Sequence, residues 1–290
     1  MKDYKIGVIG NGFVGSSLIH GFGLYVKEVH VYDKDPRKSI NGLEYTIKNS
    51  DIIFLCLPTP MLESGECDLS FIYSTLQKIN NFKKVDMGKK IFVIKSTVTP
   101  GTTDKLACEF KRLSLVFNPE FLTERTARLD FINASRIVLG GTLENLEQVE
   151  SLYRQRFPHT PIIKTSRKSA EFIKYMCNCF FATKISFMNE MKQVGDVIGA
   201  DWEKVIEGFL SDGRIGNSHV DVPGHDGDLG FGGTCFPKDV NAMICFAQQQ
   251  NIEPKVLQAV WDKNLEVRKN KNWLTMVGRA VSTENVKKEK

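Results

Sequence analysis

The chain has 290 residues, 42% hydrophobic and 25% charged, with 39 Lys+Arg against 34 Asp+Glu for a formal charge of +5. That length accommodates two domains, or one large one, with a substantial core. The composition is ordinary for a globular protein, and the charge balance is too mild to imply nucleic acid. No apolar run reaches the roughly 18 residues of a membrane span. The opening "MKDYKIGVIG" leads straight into a strand pattern without signal-peptide features, so an intracellular, cytoplasmic protein is expected, with no membrane partner. The seven cysteines are an odd number without a CxxC pair, and the five histidines do not cluster. Free thiols in a reducing compartment and no metal site follow.

In chain order, "KIGVIG" reads as a first strand and "GFVGSSLIHGFGLY" as a helix; "EVHVYD" and "DIIFLCLP" are the second and third strands. Further strands are expected in "KIFVIKST", "LSLVFNP", "RIVLGG" and "TPIIKT", with helices over 70–80, 102–111 and 143–156. This alternation predicts a Rossmann-like, doubly wound parallel sheet over residues 1–165. From Ser169 to about Gly199 one long amphipathic helix follows, then "WEKVIEGFL", a glycine-rich loop from Asp212 to Gly233, and helices over about 239–250 and 254–279. Residues 166–280 are therefore expected to form an all-helical domain with a long central helix, and 281–290 a disordered basic tail.

The run "GNGFVG" is a G-x-G-x-x-G that follows a strand and opens a helix. Gly10, Gly12 and Gly15, with Phe13 and Val14 between them, permit a tight turn and a close approach of a pyrophosphate to the helix N-terminus. Asp33, at the end of the second strand, suits the adenosine ribose hydroxyls and repels a 2′-phosphate, which favours NAD over NADP. Lys34 and Arg37 nearby weaken that preference. Thr59, after the third strand, either contacts the cofactor or starts the loop, and Cys56 is read as buried filler.

Four separated segments carry polar residues that packing does not require. "KSTVTPGTT" brings Lys95, Ser96 and Thr97; "NPEFLTE" brings Asn118, Glu120 and Glu124, the two glutamates a helical turn apart in spacing; "IKYMCN" sets Lys174 and Asn178 at i, i+4; "GFGGTCFPKD" brings Cys235, Lys238 and Asp239. Together with "DGRIG" and the G-x-G-x-x-G, these motifs resemble the UDP-glucose/GDP-mannose dehydrogenase family in its own order, its UDP-glucose 6-dehydrogenases most closely, over most of residues 1–280.

The resemblance implies an NAD-dependent four-electron oxidation of a nucleotide sugar, UDP-glucose to UDP-glucuronate. In it Cys235 forms a thiohemiacetal and then a thioester that water hydrolyses. It further implies that Lys174 stabilises charge on the substrate oxygen, that Asn178 and Asp239 hold water or oxyanion, and that Glu120 is the base, working through Thr97 or a water. Phe121, Leu122 and Glu124 would line the sugar with Phe231 and Gly232; Thr97 and Lys238 would also touch the cofactor. Arg214 resembles an arginine that reaches the partner subunit's site in a homodimer formed through the long helix. The alternatives are another nucleotide sugar (GDP-mannose or UDP-N-acetylmannosamine), a hydroxyacid-type dehydrogenase without need of Cys235, or a non-catalytic NAD-binding dimeric subunit.

Two departures from the family pattern stand out. Its members usually continue into a second α/β domain that holds the nucleotide, and that UDP-binding domain is expected to be missing. The loop 217–229, with Asp221, Asp226 and Asp228, is longer and more acidic than usual; it is read as slack surface loop by a small margin over a lid or a partial replacement for the lost contacts. Arg125 also stands where glycine is common.

Overall fold

The computed structural model describes residues 3–284. The chain divides into two compact units. The first runs to Thr59 and resumes from Leu69 to Lys174; the second holds Pro60–Asp68 and the described residues from Tyr175 onward. The boundary falls inside the long helix rather than ahead of it at residue 165.

The first unit alternates β1 (Lys5–Ile9), α1 (Phe13–Phe22), β2 (Glu28–Tyr32), α2 (Leu43–Lys48), β3 (Ile52–Leu55), α3 (Ser70–Asn80), β4 (Ile91–Ile94) and α4 (Thr102–Glu109). It continues with β5 (Ser114–Phe117), α5 (Ala127–Ile132), β6 (Ile137–Gly140), α6 (Leu143–Arg156) and β7 (Ile162–Thr165), ending in the start of α7 (Arg167–Ile198). The strand order is β2-β1-β3-β4-β5-β6-β7, so the winding reverses beside β1. Strands are apolar on both faces because each face has its own helical layer. Ile53 and Leu55 enter one core cluster while Ile52 and Phe54 enter the other, in the two-residue period of a strand.

One junction departs from the parallel pattern expected. β5 and β6 meet antiparallel through the single pair Phe117 and Gly140, and β6 and β7 are parallel to each other. The sequence reading had no helix between those strands, whereas α5 lies there and turns the chain. The glutamates of "NPEFLTE" also lie outside any helix, so Glu120 is buried and Glu124 exposed.

The second unit packs the rest of α7 with α8 (Trp202–Leu210), α9 (Phe236–Gln249) and α10 (Lys255–Val267). Tyr175, Cys179 and Ala182 of α7 share a core with Val240 and Met243 of α9 and Val260 of α10. α10 stops at Val267, short of the expected 279. Arg268 turns extended there, and its buried guanidinium pairs with Asp226 at 2.6 Å. The chain then returns to residues 60–68: Met61 N–H donates to Ala280 O, Ser282 N–H to Met61 O, and Ser282 Oγ–H to Asp68 at 2.6 Å. Val281 and Ser282 are therefore buried rather than part of a loose tail. The remainder of the predicted tail, 285–290, lies outside the described residues.

The acidic loop is tied down rather than slack. Besides Asp226–Arg268, Lys184 donates to the Gly216 and Ser218 carbonyls, and the His219 ring stacks on Phe181 with centroids 4.3 Å apart.

Candidate active site

In the first unit the glycine turn sits at the C-terminal end of β1, where the strand order reverses and open α/β sheets bind ligands. Gly10 has φ +95°, and a Cβ there would lie 2.3 Å from the Cys56 carbonyl oxygen. A Cβ on Gly15 would stand 2.0 Å from the Gly10 oxygen. Both glycines are fixed by the protein's own backbone. Gly12 differs: a Cβ there meets no atom within 4 Å. It precedes α1, whose N-terminus has no side-chain cap and no acidic residue in its first turn. That combination suits an incoming anion such as a pyrophosphate. Asp33 closes the turn, accepting from Asn11 N–H at 2.6 Å and Asp35 N–H at 2.8 Å. A carboxylate has about four acceptor positions, so ribose hydroxyls fit beside these bonds. Phe13 and Val14 open α1, and Thr59 is buried.

A polar cluster lies at the ends of β4 and β5. Lys95 donates to the Asn118 side-chain oxygen at 2.9 Å, and the Tyr153 hydroxyl donates to the same oxygen at 2.5 Å. Asn118 in turn donates to Val138 O. Burial pulls the Lys95 ammonium down to about 8 against the opposing pull of Cys56 and Glu120. Burial pushes the Cys56 thiol up to about 12, as for an inert core cysteine.

Lys174, from α7, pairs with Glu120 at 3.0 Å, both side chains under one-tenth exposed. Burial raises a carboxyl, yet Lys174, the Leu122 N–H and Lys95 outweigh it here, and Glu120 titrates below its ordinary range. Glu120 is thus ionised at neutral pH but is a weaker base than a free glutamate. Phe121 lies under the Arg136 guanidinium at 4.0 Å and 5.6 Å from the Lys174 nitrogen. Leu122 packs partly into the core beneath the sheet. Thr97 is buried at the start of the loop that leads to α4.

In the second unit, Cys235 occupies the N-cap position of α9, with Pro237 in the first turn. Proline there costs no hydrogen bond, because the first N–H groups of a helix lack internal partners. The helix starts about three residues ahead of the expected 239, and Pro237 is the sequence signal for that start. A sulfur at a helix N-terminus is where partial positive charge favours a thiolate. Cys235 Sγ is 3.6 Å from the Thr234 hydroxyl. Asp239 is buried one turn on and accepts from Asn178 at 2.6 Å and from Lys238 at 2.5 Å. Burial would lower Lys238, but Asp239, Cys235 and Cys67 hold its ammonium above the ordinary value.

The glycine loop ahead of Cys235 is held by side-chain amides absent from the sequence reading. Asn189 accepts from Gly230 N–H, Asn264 both accepts from Phe231 N–H and donates to Phe231 O, and Asn272 accepts from Gly233 N–H. Gly230 (φ +66°) and Gly232 are crowded: a Cβ would lie 2.4 Å from Asn264 Oδ1 in one, and 2.5 Å from Arg268 and Asn272 in the other. Gly233, at φ +75°, faces open space. Phe231 is core, its ring against Phe236 and Trp261 and both its backbone groups engaged by Asn264. Phe231 and Gly232, expected at the sugar, therefore shape the loop; Gly233 is its open position. Arg214 is 90% exposed and paired with Asp212.

Residues 38–157 match the NAD binding domain of the UDP-glucose/GDP-mannose dehydrogenase family, and 168–266 match its central domain. The chain belongs to that family. It is 37% identical over 235 residues to UDP-glucose 6-dehydrogenase TuaD of Bacillus subtilis, covering 79% of this chain. The chain spans about half the length of the curated relatives it matches, 49% of that one. A UDP-glucose dehydrogenase from Pyrobaculum islandicum superposes with a TM-score of 0.80 at 28% identity, over 91% of this chain and 68% of that one. A 3-hydroxyisobutyrate dehydrogenase of Mycobacterium tuberculosis superposes at 0.73 over 91% of this chain and 94% of its own, with 13% identity, a likeness of fold alone. Among the described residues no group of three or more His, Cys, Asp or Glu could hold a metal, and no helix is long and apolar enough to cross a membrane.

Proposed function

We propose that this chain oxidises the primary alcohol of a nucleotide sugar, UDP-glucose first, to the acid. The turn at Gly12, with Asp33, would hold NAD+, which would supply the hydride acceptor for each of the two oxidations. Lys174 stabilises negative charge on the substrate oxygen as its proton leaves. The Cys235 thiolate adds to the aldehyde carbon, giving a thiohemiacetal; loss of hydride makes a thioester; water releases the acid and restores the thiol. Asn178 and Asp239 orient water and oxyanion, and Lys238 keeps the field around the sulfur positive. Glu120 guides the hydrolytic water as an ionised carboxylate, through Thr97 or directly, while Glu124 and Phe121 bind the sugar.

The observation that carries this reading is Cys235 at the uncapped N-terminus of α9, with Lys238 and Asp239 in the helix's first turn. A hydroxyacid dehydrogenase has no use for that thiol, and the fold alone, shared with such an enzyme, does not choose. A homodimer is part of the proposal. Phe172, Met176, Phe180, Phe187 and Val194 leave an exposed apolar stripe along α7, at helical spacing. Arg214 would then reach the partner's substrate, since an exposed pair with Asp212 costs little to open. The free cysteines fit a reducing cytoplasm.

The test is NADH released per sugar consumed by purified protein with NAD+ and UDP-glucose. Two per sugar support the four-electron reaction. One per sugar sinks the thioester route. None with UDP-glucose, GDP-mannose or UDP-N-acetylmannosamine, while NAD+ still binds, overturns the enzymatic reading in favour of an NAD-binding subunit.

A further inference from the structure

Glu171, on α7, is fully buried and has no role in the chemistry above. Its two carboxylate oxygens accept from Gly101 N–H at 2.5 Å and Thr103 N–H at 2.7 Å. Both donors lie at the start of α4, where Gly101 (φ +92°) turns the segment that begins with Lys95 and Thr97 into the helix. The unsatisfied N–H groups of one helix are thus capped from another helix, 68–70 residues along the chain. Lys174 follows Glu171 at i+3, on the same face.

Other contacts of the first turns of α7 reach the sheet, and Arg167 also pairs with Asp104 in the first turn of α4. Arg167 donates to Leu115 O at 3.0 Å. Ala170 packs where a Cβ on Gly140 would come within 2.7 Å. Glu171 is the buried contact that ties α7 to the backbone N–H groups at the end of the Thr97 segment.

Resting on the dehydrogenase reading, we infer that Glu171 is a positioning residue for it: the carboxylate clamps the Thr97 segment to the helix that carries Lys174. The clamp has a charge requirement. Two N–H donors facing two oxygens bond best to the ionised form, since a proton takes one acceptor position and weakens the oxygen that carries it. Burial pushes this carboxyl up to about 7, the Thr103 side chain and the two N–H groups pulling part of the way back and the Asp104 charge adding to the rise. The charged groups around it are Asp104 on α4, paired with Arg167 at 3.2 Å; Lys168, whose stem lies over Gly101; and Lys174, paired with Glu120.

Stability and clamping therefore run in opposite directions with pH. The folded value lies above the ordinary carboxyl value of 4.5, so the folded chain binds the proton more tightly and this group's contribution to stability falls as pH rises from about 4.5 through about 7. Over the same interval the clamp forms. A glutamate retained only for stability would not behave this way.

The experiment is Glu171→Gln in the full chain, read by amide hydrogen exchange, thermal unfolding and NADH release. Gln offers one acceptor and one donor to two N–H groups. Protection of Gly101 or Thr103, corrected for intrinsic exchange, should be lost in the variant, whereas in the wild type it grows between about pH 6 and 8. Above pH 7 the melting temperature should equal or exceed that of the wild type, while kcat falls by about tenfold to a hundredfold with KM for NAD+ unchanged. Wild-type protection at both amides, or a melting temperature that falls along with kcat, would overturn the proposal. Where the Gln variant does not fold, Glu171→Asp carries the test: it keeps the charge, so it should retain the rise in protection and activity with pH at a lower level, and a flat profile rejects the clamp. A wild-type chain that releases no NADH refutes the dehydrogenase reading instead. Amide exchange still decides the clamp in that case, lost protection supporting it and unchanged protection overturning it.

Discussion

Residues 10–15 and 230–235 each lead a glycine-rich turn into a helix without a side-chain cap. In each, two glycines are pressed by the protein itself, Gly10 and Gly15 in one, Gly230 and Gly232 in the other. A third glycine faces open space, Gly12 and Gly233 respectively. The crowded glycines set the shape of the turn, and the open one sets what can approach it. The turns are held by different means. Around Gly10 the sheet supplies backbone groups, with Gly10 N–H donating to Tyr32 O and Cys56 N–H to Ile9 O. Helices satisfy their own backbone, so the second unit has none to lend and uses the amides of Asn189, Asn264 and Asn272 instead. The fields serve different charges too. The end of α1 awaits an anionic ligand, whereas at α9 the chain supplies its own sulfur, Cys235.

The largest effect should come from removing that built-in charge. Cys235→Ser is expected to lower formation of the acid by on the order of a thousandfold or more, with NAD+ affinity and melting temperature unchanged. Product analysis by acid quench checks it; an active Ser variant would mean that the chemistry does not pass through the Cys235 sulfur. Next comes the amide scaffold. Asn264→Ala strands the buried N–H and C=O of Phe231, at about 2–4 kcal/mol of stability by denaturant unfolding, and should lower turnover without weakening NAD+ binding. Equal stability would mean that the glycine loop holds its own shape. Smaller again is Gly232→Ala, which drives a methyl against Arg268 and Asn272. It should cost about 1–3 kcal/mol in the same measurement.

How much of this was legible in the sequence differs between the units for a physical reason. The strands of the first unit are buried on both faces, so β3, β4 and β6 stand out as apolar runs, and α3 and α6 by their helical period. The short helices α2 and α5 left no such signal; each is six residues long and lacks a side-chain cap. The antiparallel turn at β6 depends on α5 and was missed with it. The chemically active residue types were legible as motifs, but their pairing was not. That Glu120 meets Lys174 and that Asp239 meets Asn178 depends on elements far apart in the chain. Asn264, Asn272 and Glu171 were invisible because an amide or carboxylate within a helix reads as a solvent-facing residue. The end of α10 was overrun for the same reason, since Arg268 reads as helical until its buried partner Asp226 is known.

The smallest expected change in stability tests whether an open glycine is open for a ligand. Gly12 has φ −83° and ψ −162°, a conformation alanine adopts without strain, and nothing within 4 Å would meet the added methyl. Alanine is the poorer N-cap, but it also lowers the entropy of the unfolded chain. The two effects offset, leaving Gly12→Ala within about 0.5 kcal/mol of the wild type. Gly233→Ala has equal room but sits at φ +75°, so it should lose about 1–2 kcal/mol from backbone strain alone. Stability measurements would therefore rank Gly12 as dispensable. NAD+ titration should rank it otherwise. A methyl group at Gly12 occupies the space through which a pyrophosphate reaches the first N–H groups of α1, and affinity should fall by at least about tenfold, or 1.4 kcal/mol. If Gly12→Ala binds NAD+ as the wild type does, the pyrophosphate does not approach α1 at this residue, and the parallel between the two turns fails at its cofactor end.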